Sequence, residues 1–244
     1  MKTGVNCTHF SDFSLYSKSL DQLPQTEKLV INTINQYSYC MACKDNDFKK
    51  ALLESGVLLP DGIAMVAAEK LLNGKRIKKV SGSDIHQYLL FKLNNEGGSC
   101  FYLGSSEQTL KKIQLKLKHE FPNIKAGFYS PPFTKRFSES DSKKMVDAVK
   151  RNKPDVLFIG MTAPKQEKWV SEYKKELDAK IICSIGAVFD FYSGTVKRPN
   201  KIWRNLGLEW LGRLRREPKR MWKRYLYYGP IFIYYVFFKG NRLY

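Results

Sequence analysis

Between residues 28 and 186, short apolar runs alternate with segments of helical spacing. Residues 28–35 (KLVINTIN), 99–103 (SCFYL), 155–159 (DVLFI) and 180–185 (KIICSI) read as strands. Residues 124–129 form a weaker strand, and 57–59 a short apolar run leading into Pro60-Asp61-Gly62. Helical spacing fills the intervals at 39–55, 64–72, 107–120, 141–151 and 164–177, with Gly56 and Gly74 as C-terminal stops. A strand buried on both faces reads as a continuous apolar run, and successive parallel strands need a crossover long enough to hold a helix. The rhythm therefore predicts an α/β domain whose sheet is largely parallel and flanked by helices. Residues 130–142, with Pro131-Pro132 and scattered Ser, read as a surface loop.

At 244 residues, 43% hydrophobic and 27% charged, the chain can bury a sizeable core, and global disorder is excluded. No apolar run reaches the roughly 18–20 residues of a membrane-spanning helix. The first residues lack an apolar signal region, and the five Cys are odd in number and scattered; a cytosolic protein with reduced thiols is expected. The net charge of +19 points to nucleic acid, anionic lipid or phosphorylated ligands. Its distribution is uneven. Residues 195–244 hold 13 Lys and Arg against Glu209 and Glu217, together with 12 of the 33 aromatic residues. The expected division is a catalytic body, 1–194, and a basic, aromatic, helical appendage, 195–244.

In open α/β sheets, ligands bind beyond the carboxyl ends of the strands. Thr33-Ile34-Asn35, Pro60-Asp61-Gly62, Gly104-Ser105-Ser106 and the stretch from Gly160 to Glu167 all fall there. Asp61 suits a turn or helix cap, and equally a general base at a strand end. Gly104-Ser105-Ser106 suits a helix cap, and equally a phosphate cradle on backbone N–H groups. Pro164 fits the first helical position and Glu167 the first turn; Gln166 and Glu167 are also placed to bond a base, ribose or sugar hydroxyl. Cys40-Met41-Ala42-Cys43 lacks a second ligand pair and reads as two unrelated thiols. Asp45-Asn46-Asp47 matches the metal-binding Asp-x-Asp of many glycosyltransferases, but it lies within a helical pattern and reads as a solvated face. His9, His86 and His119 are isolated.

In the tail, Arg213, Arg216, Arg220 and Arg224 share one helical face if the helix continues past Pro218, where a kink or restart is expected. Residues 226–238 are aromatic and apolar, broken by Gly229-Pro230; such a run suits the bilayer interface. Packing on the chain's own core or on a second copy is the alternative. Single-stranded nucleic acid also favours basic and aromatic surfaces, but no nucleic-acid-binding signature is present, and none is expected as a partner.

Taken together, Thr33-Ile34-Asn35, LLPDG ending at Gly62, SGSD (81–84), FYLG (101–104), PDVLFIGMTAPKQEKW (154–169), IGAVFDFYSGTVKRPNKIW (185–203) and GLEWLGRLRREPKRMWKRY (207–225) resemble, in order, the WecG/TagA/CpsF glycosyltransferase family of bacterial cell-surface polysaccharide synthesis. The resemblance implies a Rossmann-like fold and an inverting transfer that uses no cofactor and no bound metal. The donor is a UDP-sugar, typically of N-acetylmannosamine or its uronic acid. The acceptor is a saccharide on undecaprenyl diphosphate at the inner face of the cytoplasmic membrane. It aligns Asp61 with the proposed general base, and Thr33 and Asn35 with polar residues of the same pocket. Gln166 aligns with a substrate-contacting residue, with Glu167 beside it and Gly104 and Gly160 at the flanking strand ends. Arg213, Arg220 and Arg224 match basic positions for the lipid diphosphate. Lys79 departs from the Arg found in many members, replacing a two-pronged donor with a point charge. The rival readings are a transferase of another hexose and a non-enzymatic basic membrane or nucleic-acid module.

Overall fold

The computed structural model describes residues 7–10, 12–196, 209–216 and 218–239. A short antiparallel hairpin, β1 (Cys7–Phe10) and β2 (Phe13–Tyr16), precedes the main sheet. The sheet contains β3 (Leu29–Ile34), β4 (Val57–Pro60), β5 (Ser99–Gly104), β6 (Lys125–Tyr129), β7 (Val156–Gly160) and β8 (Ile181–Ser184). Their order is β4-β3-β8-β7-β5-β6, and every pairing is parallel. The helices are α1 (Gln36–Ala42), α2 (Asn46–Leu53), α3 (Ile63–Asn73), α4 (Gly82–Glu96), α5 (Glu107–Glu120), α6 (Glu139–Asn152), α7 (Lys165–Tyr173) and α8 (Val188–Tyr192). The expected α/β fold with a parallel sheet is the observed one.

Alternation along each strand divides the core. Cys100 and Tyr102 of β5 and Phe158 of β7 face α4 and α5 through Ile85, Leu89, Leu110 and Ile113. Phe101, Leu103, Leu157 and Ile159 face α6 and α7 through Val146, Val149, Trp169 and Val170. Thus α5 and α7, which come after the neighbouring strands β5 and β7, leave on opposite faces, and a crevice opens between the two strand ends. Gly104 pairs with Gly160 at this point. With φ of +128°, Gly104 packs so closely that a Cβ would lie 2.5 Å from the Gly160 carbonyl oxygen.

Caps explain where the helices begin. Ser81 and Asp84 close a capping box that opens α4, and Ser138 and Asp141 do the same for α6. The fifteen-residue α4 is not among the helices expected from apolar spacing, although its capping box coincides with the SGSD motif. The single helix expected over 39–55 is two. Asp45 accepts from the Phe48 N–H as N-cap of α2, because its short side chain competes with the backbone inside a helix. The loop expected over 130–142 ends at Ser138, and α7 spans 165–173 with Pro164 as its N-cap rather than its first residue.

The C-terminal region is helical: α9 (Glu209–Arg216), α10 (Pro218–Trp222), a π-wound turn at Lys223–Tyr227, α11 (Tyr228–Tyr234) and a second π-wound stretch at Tyr235–Lys239. Gly229 and Pro230 lie in α11, which follows the π-wound turn directly, and do not interrupt the helical run. Phe232 and Val236 are 4% and 3% exposed against Ile34, Tyr39 and Met65. Burying such a side chain contributes about 1.5–3 kcal/mol. Edge-on aromatic contacts, Tyr37–Tyr228 at 5.0 Å and Tyr39–Phe232 at 5.4 Å, hold α11 on α1. Among the described residues no helix is long and apolar enough to cross a membrane.

Gly104→Ala is expected to lower the melting temperature by at least roughly 5 °C, since a Cβ in this conformation both strains the backbone and meets a carbonyl. A thermal melt checks this. An unchanged value means the strand ends are not so closely apposed.

Candidate active site

A cavity of about 1260 Å³ lies over the carboxyl ends of β3, β4, β5 and β7. Backbone bonds bring its first wall together. The Asp61 N–H donates to the Ile34 carbonyl at 2.8 Å, and the Val80 N–H to the Pro60 carbonyl at 3.0 Å. Thr33, Asn35, Asp61 and Lys79 therefore line one side, although they come from three separate segments. Asn35 is also the N-cap of α1. Its Oδ1 accepts from the Tyr37 and Ser38 N–H groups at 3.1 and 3.0 Å, and its Nδ2 makes no hydrogen bond among the described residues.

The second wall runs along β5 and β7. Ser105, with φ of +59°, makes the turn after Gly104, and the Ser130 hydroxyl donates to its carbonyl at 2.8 Å. Ser106 then caps α5. After Gly160, the Met161 N–H donates to Gln166 Oε1 at 3.2 Å, and Gln166 Nε2 donates to Glu167 Oε1 at 2.8 Å. Both side chains are buried, and Glu167 Oε2 has no hydrogen-bond partner among the described residues. Burial pushes the Glu167 carboxyl up to about 7, with the Gln166 bond pulling the other way.

Lys165, not singled out from the sequence, also lines the cavity. It donates to the Thr134 carbonyl at 2.9 Å and sits 4.3 Å from the Phe137 ring centre. Its only sequence signal is its place beside Gln166. The third wall is apolar: Ala64, Ala67 and Leu71 of α3 face Ile233, Val236 and Phe237 of the C-terminal region. Leu71 is 69% exposed. Arg224 lines the same space, its guanidinium 4.7 Å from the Tyr37 ring centre. The side chains of Arg213 and Arg220 lie outside the described residues.

The remaining motifs stay out of the cavity. Asp45 and Asp47 pair with Lys168 at 2.9 and 3.6 Å and tie α2 to α7, which is more than the solvated face expected of them. Cys40 is buried and Cys43 exposed. His86 bonds the Tyr102 hydroxyl at 2.7 Å, and burial pushes its pKa down to about 3, so it is a neutral core residue. Among the described residues no group of three or more His, Cys, Asp or Glu is placed to hold a metal ion.

The raised pKa of Glu167 has a sign. Below about pH 4.5 the folded and unfolded chains both hold the proton; between 4.5 and about 7 only the folded chain does, so stability falls as pH rises through that window. A shift of this size amounts to about 3 kcal/mol. Melting temperatures of the wild type, taken relative to Glu167→Gln, are expected to fall between about pH 5 and pH 8. A flat difference places the ionisation elsewhere.

The family model described as "Glycosyl transferase WecG/TagA/CpsF family" matches residues 2–243. An "N-acetylglucosaminyldiphosphoundecaprenol N-acetyl-beta-D-mannosaminyltransferase" of Bacillus subtilis (strain 168) is 32% identical over 91% of this chain and 82% of its own length. Proteins of the same name from Bacillus spizizenii (strain ATCC 23059 / NRRL B-14472 / W23) and Staphylococcus aureus (strain MW2) are 28% and 24% identical. They are covered over 77% and 80% of their lengths, and they match 84% and 86% of this chain. The chain belongs to the WecG/TagA/CpsF family of glycosyltransferases.

Proposed function

We propose that the chain transfers N-acetylmannosamine, or its uronic acid, from a UDP-sugar to N-acetylglucosamine carried on undecaprenyl diphosphate, with inversion and without a bound metal. The reading rests on one observation: a single cavity joins the Asp61 carboxylate, cations from separate parts of the chain and an apolar wall. The names of the relatives supply the sugar and the acceptor.

In this reading the acceptor hydroxyl oxygen attacks the anomeric carbon as Asp61 takes its proton. The bond from that carbon to UDP breaks, and its electron pair leaves on the β-phosphate oxygen. An α-linked sugar nucleotide that yields the β product of the relatives' name has been displaced from its opposite face, and this supports inversion. Lys79, Lys165 and the N–H groups that open α5 after Gly104 take up charge on the departing diphosphate. Gln166, with Glu167 beside it, contacts the donor, while Thr33 and the Nδ2 of Asn35 orient the reacting hydroxyls.

Residues 195–244 act as the acceptor-binding appendage of a body spanning 1–194. Arg224, with Arg213 and Arg220, holds the lipid diphosphate, and the isoprenoid chain lies along the apolar wall between α3 and α11. Exposed Trp222, Tyr227, Tyr234 and Phe238 rest on the inner leaflet, so the protein is peripheral on the cytoplasmic face.

Asp61→Asn is expected to keep donor binding and lower kcat by at least roughly 100-fold. Turnover within a few-fold of wild type removes Asp61 from the role of base.

A further inference from the structure

Glu167 lies in the wall of the cavity, yet it is 3% exposed and its Oε2 is enclosed without a partner among the described residues. Burying a carboxyl with one oxygen unpaired destabilises a fold. The hydrogen bond it does make goes to one neighbour, the side-chain amide of Gln166. We infer that Glu167 is a positioning residue: it fixes which way round the Gln166 amide faces, and so presents one N–H of that amide to the sugar-nucleotide donor. The inference deepens the proposed function and rests on it.

The hydrogen-bond arithmetic is specific. A Gln amide carries one acceptor oxygen and two N–H donors. Gln166 Oε1 is held at one end by the Met161 N–H, 3.2 Å away, which can only donate. Nε2 is held at the other end by Glu167 Oε1, 2.8 Å away. Turning the amide over sets Nε2 against the Met161 donor and Oε1 against a carboxyl oxygen, and both contacts are then lost. In the observed orientation one Nε2 N–H is left over, in a side chain that lines the cavity. A Cβ on Gly186 would lie 3.6 Å from Oε1 and 3.7 Å from Nε2, in ordinary van der Waals contact with the amide.

An ionised carboxyl at position 167, the form favoured above about pH 7, is the suitable selector because it can only accept. An amide there can itself turn over and offer either an oxygen or an N–H, which leaves the Met161 N–H alone to choose the orientation of Gln166. Size and hydrogen-bonding capacity alone do not call for Glu; fixing the orientation does. Glu167 acts on the donor through Gln166 and does not touch it.

A double-mutant cycle tests this on the full chain, with donor KM, acceptor KM and kcat measured for wild type, Glu167→Gln, Gln166→Ala and the double variant. Glu167→Gln is expected to raise donor KM about three- to ten-fold, the scale of one neutral hydrogen bond, and to leave acceptor KM within about two-fold. In the Gln166→Ala background the same change is expected to add nothing, because the group it acts through is gone. Glu167→Met, similar in volume but without an acceptor, is the second variant, with the same expectation. An equal cost of the Glu167 change in both backgrounds, or an unchanged donor KM, overturns the inference while the proposed function stands. Absence of acceptor-dependent turnover by the wild type with every UDP-sugar overturns the proposed function, and the inference with it.

Discussion

The close contact between Gly104 and Gly160 shapes the whole ligand-binding end of the sheet. Two parallel strands finish side by side with their backbones touching, closer than any side chain permits. The helices that continue them then depart on opposite faces of the sheet. A crevice between diverging helices is the geometric result. Without that approach the two strand ends separate, and the Gln166 wall moves away from the Ser105–Ser106 turn.

The other half of the cavity depends on the C-terminal region. The α11 helix is attached to α1 by buried Phe232 and Val236 and by edge-on aromatic pairs. The same docking places Arg224 over Tyr37, one residue from the Asn35–Gln36 turn. Each part supplies what the other lacks. The sheet ends provide carboxylate, amide and hydroxyl groups; the C-terminal helices provide a guanidinium and an apolar wall. Under the proposed function, the sugar, diphosphate and isoprenoid parts of the acceptor lie in that order along this path.

Much of this is legible in the chain. The strands read as continuous apolar runs because both faces of a parallel sheet are covered, and the motifs at their ends converge for the same reason. Asp61, Thr33, Asn35, Lys79, Gly160, Gln166, Glu167 and Arg224 do line one cavity, whereas Gly104 is buried behind it against Gly160; the roles of these residues are proposals. Most features that escape a sequence reading do so for physical causes. The hairpin strands β1 and β2 have four residues each, too few to show a period. The α4 helix, by contrast, carries both signals in the sequence, a Ser81-x-x-Asp84 capping box and an apolar stripe at Ile85, Leu89, Leu90 and Leu93, so no physical cause hides it. Asp45 divides a helix because capping its successor outweighs continuing the apolar spacing. The burial of Glu167 is not legible at all, since a Glu in a first helical turn looks like an exposed partner of the helix dipole. Lys165 carries no pattern beyond its neighbours.

The central claim is that this cavity transfers a sugar onto a lipid-linked saccharide. The most direct measurement is UDP release by the full chain, with EDTA present, from a panel of UDP-sugars that includes UDP-N-acetylmannosamine. Each donor is assayed with and without detergent-solubilised undecaprenyl-diphosphate-linked N-acetylglucosamine. The account predicts release from one donor that requires the acceptor and is matched by its conversion to a disaccharide product. No acceptor-dependent release from any donor would contradict it.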